Sequence, residues 1–137
     1  MSPAMSATPV RVGLAGAGPW ARMVHAPMLA AGPETELAGV WSRTPAHAAG
    51  LAAAHGVPVF TTFEAMVDAV DAVALAVVPA VQPELAVHAA NTGKALLLEK
   101  PLALDVAGAQ RIADAVAANG VGSIMVLTYR FAQVVGR

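Results

Sequence analysis

Short apolar runs alternate along the chain with alanine-rich stretches bounded by Pro, Gly or Thr. Val10 to Ala15 (VRVGLA) reads as a first strand, broken by Gly16-Ala17-Gly18. Pro19 stands where a helix can open, because its missing N–H costs nothing there. That helix runs towards Ala31, with Pro27 bending or shortening it. Glu36 to Ser42 is a second strand; Thr44 then serves as N-cap, with Pro45 behind it, for an Ala-rich helix closed by Gly56. Val57 to Phe60 makes a short third strand, and Thr61 with Glu64 forms a capping box for a helix through Ala69. Asp71 to Val78 is almost continuously apolar, as suits a strand covered on both faces. A helix from about Pro83 to Thr92 ends at Gly93. Lys94 to Glu99 is the fifth strand, Asp105 to Ala118 a helix, and Ser123 to Tyr129 the sixth strand. Parallel strands need crossover helices, so this alternation predicts a doubly wound, mostly parallel six-stranded α/β sheet with helices on both faces.

Composition narrows the function classes. The chain has 137 residues, enough for one domain, expected over 10–131 after a flexible 1–9, with 132–137 as a tail. At 57% hydrophobic and 12% charged it can bury a core, and a net charge of −1 predicts no partner among nucleic acids or anionic membranes. There is no cysteine, so disulfides and thiolate chemistry are excluded. The first nine residues lack a signal-peptide pattern, and the apolar stretch from Ala72 to Val81 is interrupted by Pro79; a cytoplasmic protein is expected. His25, His47, His55 and His88 fall in separate predicted helices, read as ordinary surface or partly buried side chains, and no metal site is expected. None of the four serines sits in a nucleophile elbow.

The chemistry concentrates at the ends of strands. Gly16-Ala17-Gly18-Pro19-Trp20-Ala21 fits G-x-G-x-x-A between the first strand and the first helix, the arrangement of a Rossmann diphosphate cradle. Gly16 permits the tight turn, Gly18 leaves room for the pyrophosphate, and Ala21 lets helix and strand pack closely. The helix N-terminus offers free N–H groups to an anion; Pro19 has none, so Trp20 and Ala21 are the donors. NAD-binding domains place an acid at the end of the second strand, but here it ends Val40-Trp41-Ser42-Arg43-Thr44. Without that carboxylate, and with the Arg43 guanidinium flanked by the Ser42 and Thr44 hydroxyls, NADP is favoured as the cofactor, with NAD as the alternative.

The glycine loop together with Glu99-Lys100-Pro101 at the end of the fifth strand resembles the Gfo/Idh/MocA oxidoreductase family, from about Val10 to Phe131. Gly93 to Ala103 (GKALLLEKPLA) is similar to the family's pattern, as is Tyr129-Arg130-Phe131. The resemblance implies a role for Lys100 in catalysis and for Glu99 and Lys100 at the cofactor. Independently of it, Pro101 restricts Lys100 to an extended conformation at the sheet edge where such folds bind ligands. A lysine ammonium beside a nicotinamide can favour the alkoxide of a substrate hydroxyl as hydride leaves. The family often carries a proline and then a histidine after the fourth strand; here Pro79 is followed by Gln82 at the histidine position, and both are expected to border the nicotinamide ribose. The family's substrate domain has no counterpart among the residues after Phe131.

These readings predict the cofactor half of an NADP-preferring oxidoreductase acting on a hydroxyl carbon of a sugar, polyol or related small polyhydroxy compound. Alone it should have little activity. The alternative is a non-catalytic or truncated dinucleotide-binding module that needs a partner chain; uncovered apolar surface then predicts a homo-oligomer. A methyltransferase with a similar loop is a third reading, disfavoured by Arg43 and Glu99-Lys100-Pro101.

Overall fold

A computed structural model describes residues 8–127. Residues 1–7, Tyr129-Arg130-Phe131 and the 132–137 tail lie outside the described residues, as does the end of the sixth predicted strand.

Five parallel strands form one sheet in the order β2-β1-β3-β4-β5: β1 Val10–Ala15, β2 Thr35–Trp41, β3 Ala72–Leu75, β4 Ala95–Glu99 and β5 Ser123–Val126. The helices are α1 Ala26–Ala31, preceded by a π-helical turn Ala21–His25, then α2 Pro45–His55, α3 Phe63–Ala69, α4 Gln82–Asn91 and α5 Val106–Asn119. The expected doubly wound α/β architecture is what the chain adopts.

Side chains alternate across the strands, and both faces are apolar, so two cores form. Leu14, Leu37, Val40 and Ala74 point to one face, packed with Ala21, Ala26 and Leu29 of the first helix and Ala48 and Leu51 of α2. Ala15, Ala38, Val73 and Leu75 point to the other, packed with Met66 of α3, Ala86 of α4 and Ile112 of α5. The small side chains of the Ala-rich sequence let the helices approach closely; even Gly13 of β1 has a role here, since a Cβ on it would lie 2.6 Å from Cγ of Met66. The far side of the sheet is thinner: Ile124 of β5, in register with Leu97, is 67% exposed.

Three local expectations need correction. The predicted strand Val57 to Phe60 reduces to a single parallel bridge, Val40 with Val59. Pro58 has no N–H to donate, so the ladder beside β2 cannot extend, and among the described residues the sheet has five strands rather than six. The capping residue of α3 is Thr62, not Thr61: its Oγ1 accepts from Ala65 N at 3.0 Å, so Glu64 stands one position too early for the box. Thr44 does precede α2 in an extended conformation, but its side chain makes no capping bond. By contrast, Asp105 Oδ1 accepts from Gly108 N at 2.7 Å and starts α5 as a true N-cap.

Candidate dinucleotide site

The glycine loop joins three strand ends at the carboxyl edge of the sheet. Gly16 N donates to Trp41 O of β2 at 2.8 Å, and Ala76 N, just past β3, donates to Ala15 O at 2.8 Å. This squeezes Gly16 against the chain after β3: its φ is +110°, and a Cβ there would lie 2.1 Å from Ala76 O. Only glycine fits both the conformation and the space. Gly18 is the opposite case. A Cβ on it meets no heavy atom within 4 Å, so the loop opens at this point onto free space. The N–H of Arg22 is the first to find a helical carbonyl, Gly18 O at 3.1 Å, so the preceding N–H groups of Trp20 and Ala21 belong to the open first turn of the helix. An open glycine at a helix start, with unused N–H groups, fits a diphosphate.

The helix after the loop is not regular. Ala26 N donates to Ala21 O, five residues back, in a π turn. Pro27 explains the position: its ring would collide with the carbonyl of Met23 in a regular helix, and a wider turn relieves the clash. The wide turn has a geometric result. Trp20 and His25 are five residues apart, and at 3.6 residues per turn they would diverge by about 140°. In the π turn they face the same way, and both reach one oxygen: Trp20 Nε1 donates to Glu99 Oε1 at 2.6 Å, and His25 Nε2 lies 2.7 Å from the same atom.

Glu99 closes β4 and is almost buried. Its other oxygen, Oε2, accepts from the backbone N–H of Lys100 at 3.3 Å. From α4, the wholly buried Gln82 grips the same strand end: its Oε1 accepts from Glu99 N at 2.9 Å, and its Nε2 donates to Glu99 O at 2.8 Å and Leu102 O at 2.9 Å. Gln82 thus acts as a piece of backbone, satisfying donor and acceptor where the ladder stops. Lys100 emerges from this clamp exposed, followed by a cis bond to Pro101.

Of the residues expected at the site, the structure brings Trp20, Glu99, Gln82 and the Lys100 backbone into one hydrogen-bonded cluster. Gly16, Gly18, Pro19 and Ala21 form the loop and helix start beside it. The carboxamide of Gln82, expected at a ribose, is engaged with protein main chain. Pro79, partly buried, lies in the turn before α4. Ser42, Arg43 and Thr44 follow β2 on the other side of the loop. Ser42 Oγ accepts from Thr44 N at 3.2 Å, and Arg43 is exposed.

His25 is the residue that sequence reasoning misread. It is fully buried rather than at the surface or partly buried, and its Nδ1 has no partner among the described residues. Two signals point to it: a lone histidine within the apolar run Met23 to Ala26, and Pro27 just behind it, which forces the π turn.

A five-stranded parallel sheet with an open glycine loop between β1 and its helix defines a dinucleotide-binding Rossmann domain. Residues 10–127 match the Gfo/Idh/MocA "Oxidoreductase family, NAD-binding Rossmann fold", and the chain belongs to that family. Among solved structures it is similar to UDP-N-acetylglucosamine 3-dehydrogenase GnnA from Acidithiobacillus ferrooxidans, with 26% identity and a TM-score of 0.87 over 93% of this chain and 42% of that one. The WlbA dehydrogenase from Bordetella pertussis, solved with NADH and UDP-GlcNAcA, gives 26% identity and a TM-score of 0.88 over 93% of this chain and 40% of that one. GenD2 from gentamicin A biosynthesis, solved with NAD, gives 28% and 0.86 over 93% of this chain and 37% of that one. The chain therefore spans about two-fifths of the length of these structures. Among the described residues no helix is long and apolar enough to cross a membrane.

Proposed function

We propose that this chain is the cofactor half of a dehydrogenase that moves hydride between NADP and a hydroxyl carbon of a polyhydroxy substrate. The observation that carries this reading is the convergence at one sheet edge of a glycine loop open at Gly18 with the Glu99 clamp that presents Lys100. A bound nicotinamide supplies the hydride acceptor or donor. The chain's own residues do the rest: Gly16 shapes the loop, Gly18 makes room, and the N–H groups of Trp20 and Ala21 hold the diphosphate. Pro79 borders the nicotinamide ribose, and Gln82 contributes by holding the main chain on which Lys100 is mounted. The Lys100 ammonium hydrogen-bonds the reacting hydroxyl and favours its alkoxide form. Sugar-linked substrates are supported by the relatives' own names, which include a UDP-N-acetylglucosamine dehydrogenase.

The preference for NADP rests on Ser42-Arg43-Thr44, an exposed cation and two hydroxyls with no carboxylate at the end of β2. WlbA was solved with NADH, so NAD is the competing cofactor. Calorimetric titration with NADPH and NADH separates them. The expected result is tighter NADPH binding that Arg43→Asp abolishes; equal affinities would overturn the preference. In an enzyme completed by a substrate domain, Lys100→Met should abolish turnover with cofactor affinity nearly intact, and full turnover would remove Lys100 from the chemistry.

A second reading, a non-catalytic module completed by another chain or by a second copy, is favoured by the apolar surface at Ile124 and Leu127, which are 67% and 41% exposed. Light scattering that finds a strict monomer at high concentration counts against it.

A further inference from the structure

We infer that Glu99 is a positioning residue that ties the placement of Lys100 to the helix holding the glycine loop, a reading that rests on the dinucleotide function proposed above. The carboxylate divides its two oxygens between two elements. Oε1 receives Trp20 Nε1 and His25 Nε2 from the loop helix, at 2.6 Å and 2.7 Å. Oε2 receives the Lys100 N–H at 3.3 Å. A shift of the loop helix therefore turns the carboxylate, and the carboxylate turns the peptide on which Lys100 is mounted. Gln82 limits the remaining freedom, since its grip on the N–H and C=O of Glu99 fixes the strand end itself.

The identity of residue 25 supports a purpose beyond packing. Apart from Glu99, its buried neighbours along the helix, Ala21, Ala26 and Leu29, are apolar. A leucine would fill such a space without leaving a buried nitrogen that, like Nδ1, finds no partner among the described residues. What histidine adds there is its Nε2 contact with Glu99. Because Nε2 makes the ring's one hydrogen bond among the described residues, ring and carboxylate orient each other. The same network holds the loop when a diphosphate pulls on the N–H groups of Trp20 and Ala21, so cofactor binding and Lys100 placement are energetically linked.

The test uses the 137-residue chain with Trp20→Phe, His25→Leu and His25→Gln, whose amide can still donate to Glu99. Far-UV circular dichroism confirms folding; if His25→Leu does not fold, the half-exposed Trp20→Phe carries the comparison. Two quantities are read: amide exchange at Lys100 without cofactor, and the NADPH dissociation constant by calorimetry. Trp20→Phe and His25→Leu should each raise both by about tenfold, within the coupling of residues sharing one network, and His25→Gln should restore both. A merely structural role lowers the melting temperature and leaves Lys100 exchange and the affinity of the folded chain unchanged; that result overturns the positioning role while wild-type NADPH binding keeps the dinucleotide reading. Altered Lys100 exchange in the variants, with a wild-type chain that binds neither NADPH nor NADH, supports the Glu99 link and overturns the dinucleotide reading instead.

Discussion

At the end of β4, Glu99 and Gln82 are buried and bonded to three neighbouring elements, whereas at the end of β2, Arg43 and Thr44 stand exposed. The glycine loop lies between the two, tied to β2 by Gly16 N and to β4 by Trp20. The difference separates two tasks. On the proposed function, the side chains that hold Lys100 in place are satisfied by protein, where leaving a partner unpaired costs about 1–3 kcal/mol. The side chains proposed to choose between NADP and NAD face solvent, where replacement costs the fold little. One edge of the sheet thus carries a buried, bonded end and an exposed end.

The sharpest way to break this division is within the loop itself. Gly16→Val combines a positive φ with a backbone collision, and should destabilise by more than ~3 kcal/mol in chemical denaturation. A loss under 1 kcal/mol would show that the close approach to Ala76 is not required. Next in size, Glu99→Leu strands the Trp20 and His25 donors and should cost about 2–4 kcal/mol by the same measurement. Gly18→Ala tests the opposite expectation. Its Cβ enters open space at an ordinary φ, so the denaturation midpoint should hold or rise slightly, while NADPH affinity falls at least tenfold, about 1.4 kcal/mol. Unchanged affinity would move the diphosphate away from this loop. The smallest effect belongs to the β2 end: Arg43→Ala should weaken NADPH by about 1 kcal/mol, leaving NADH affinity and stability unaltered. Equal loss for both cofactors would assign Arg43 to the adenine rather than to the 2′-phosphate.

The same division governs what could be read from the residues alone. Gly16, Gly18 and the apolar runs are legible because each answers a local demand, a tight turn, an open approach or a doubly covered strand. The stretch from Val57 to Phe60 forms one bridge instead of a strand for an equally local reason, the missing N–H of Pro58. The Glu99 network is of another kind. His25 and Glu99 are 74 positions apart, and their meeting depends on helix phase, which apolar periodicity does not report once a π turn intervenes. Likewise, Gln82 looks like a ligand contact when judged by its place after Pro79. Only the three-dimensional path of β4 shows its amide consumed by Glu99 and Leu102.

The π turn at Ala21–His25 also accommodates one residue more than a regular turn between the loop and the sheet. Removing the one residue between Arg22 and Val24 would leave Trp20 and His25 four positions apart while sparing every side chain that touches Glu99. At 3.6 residues per turn they would stand about 40° apart, still on one face. In this segment a single-codon deletion should therefore keep the Glu99 contacts that replacing Trp20 or His25 removes.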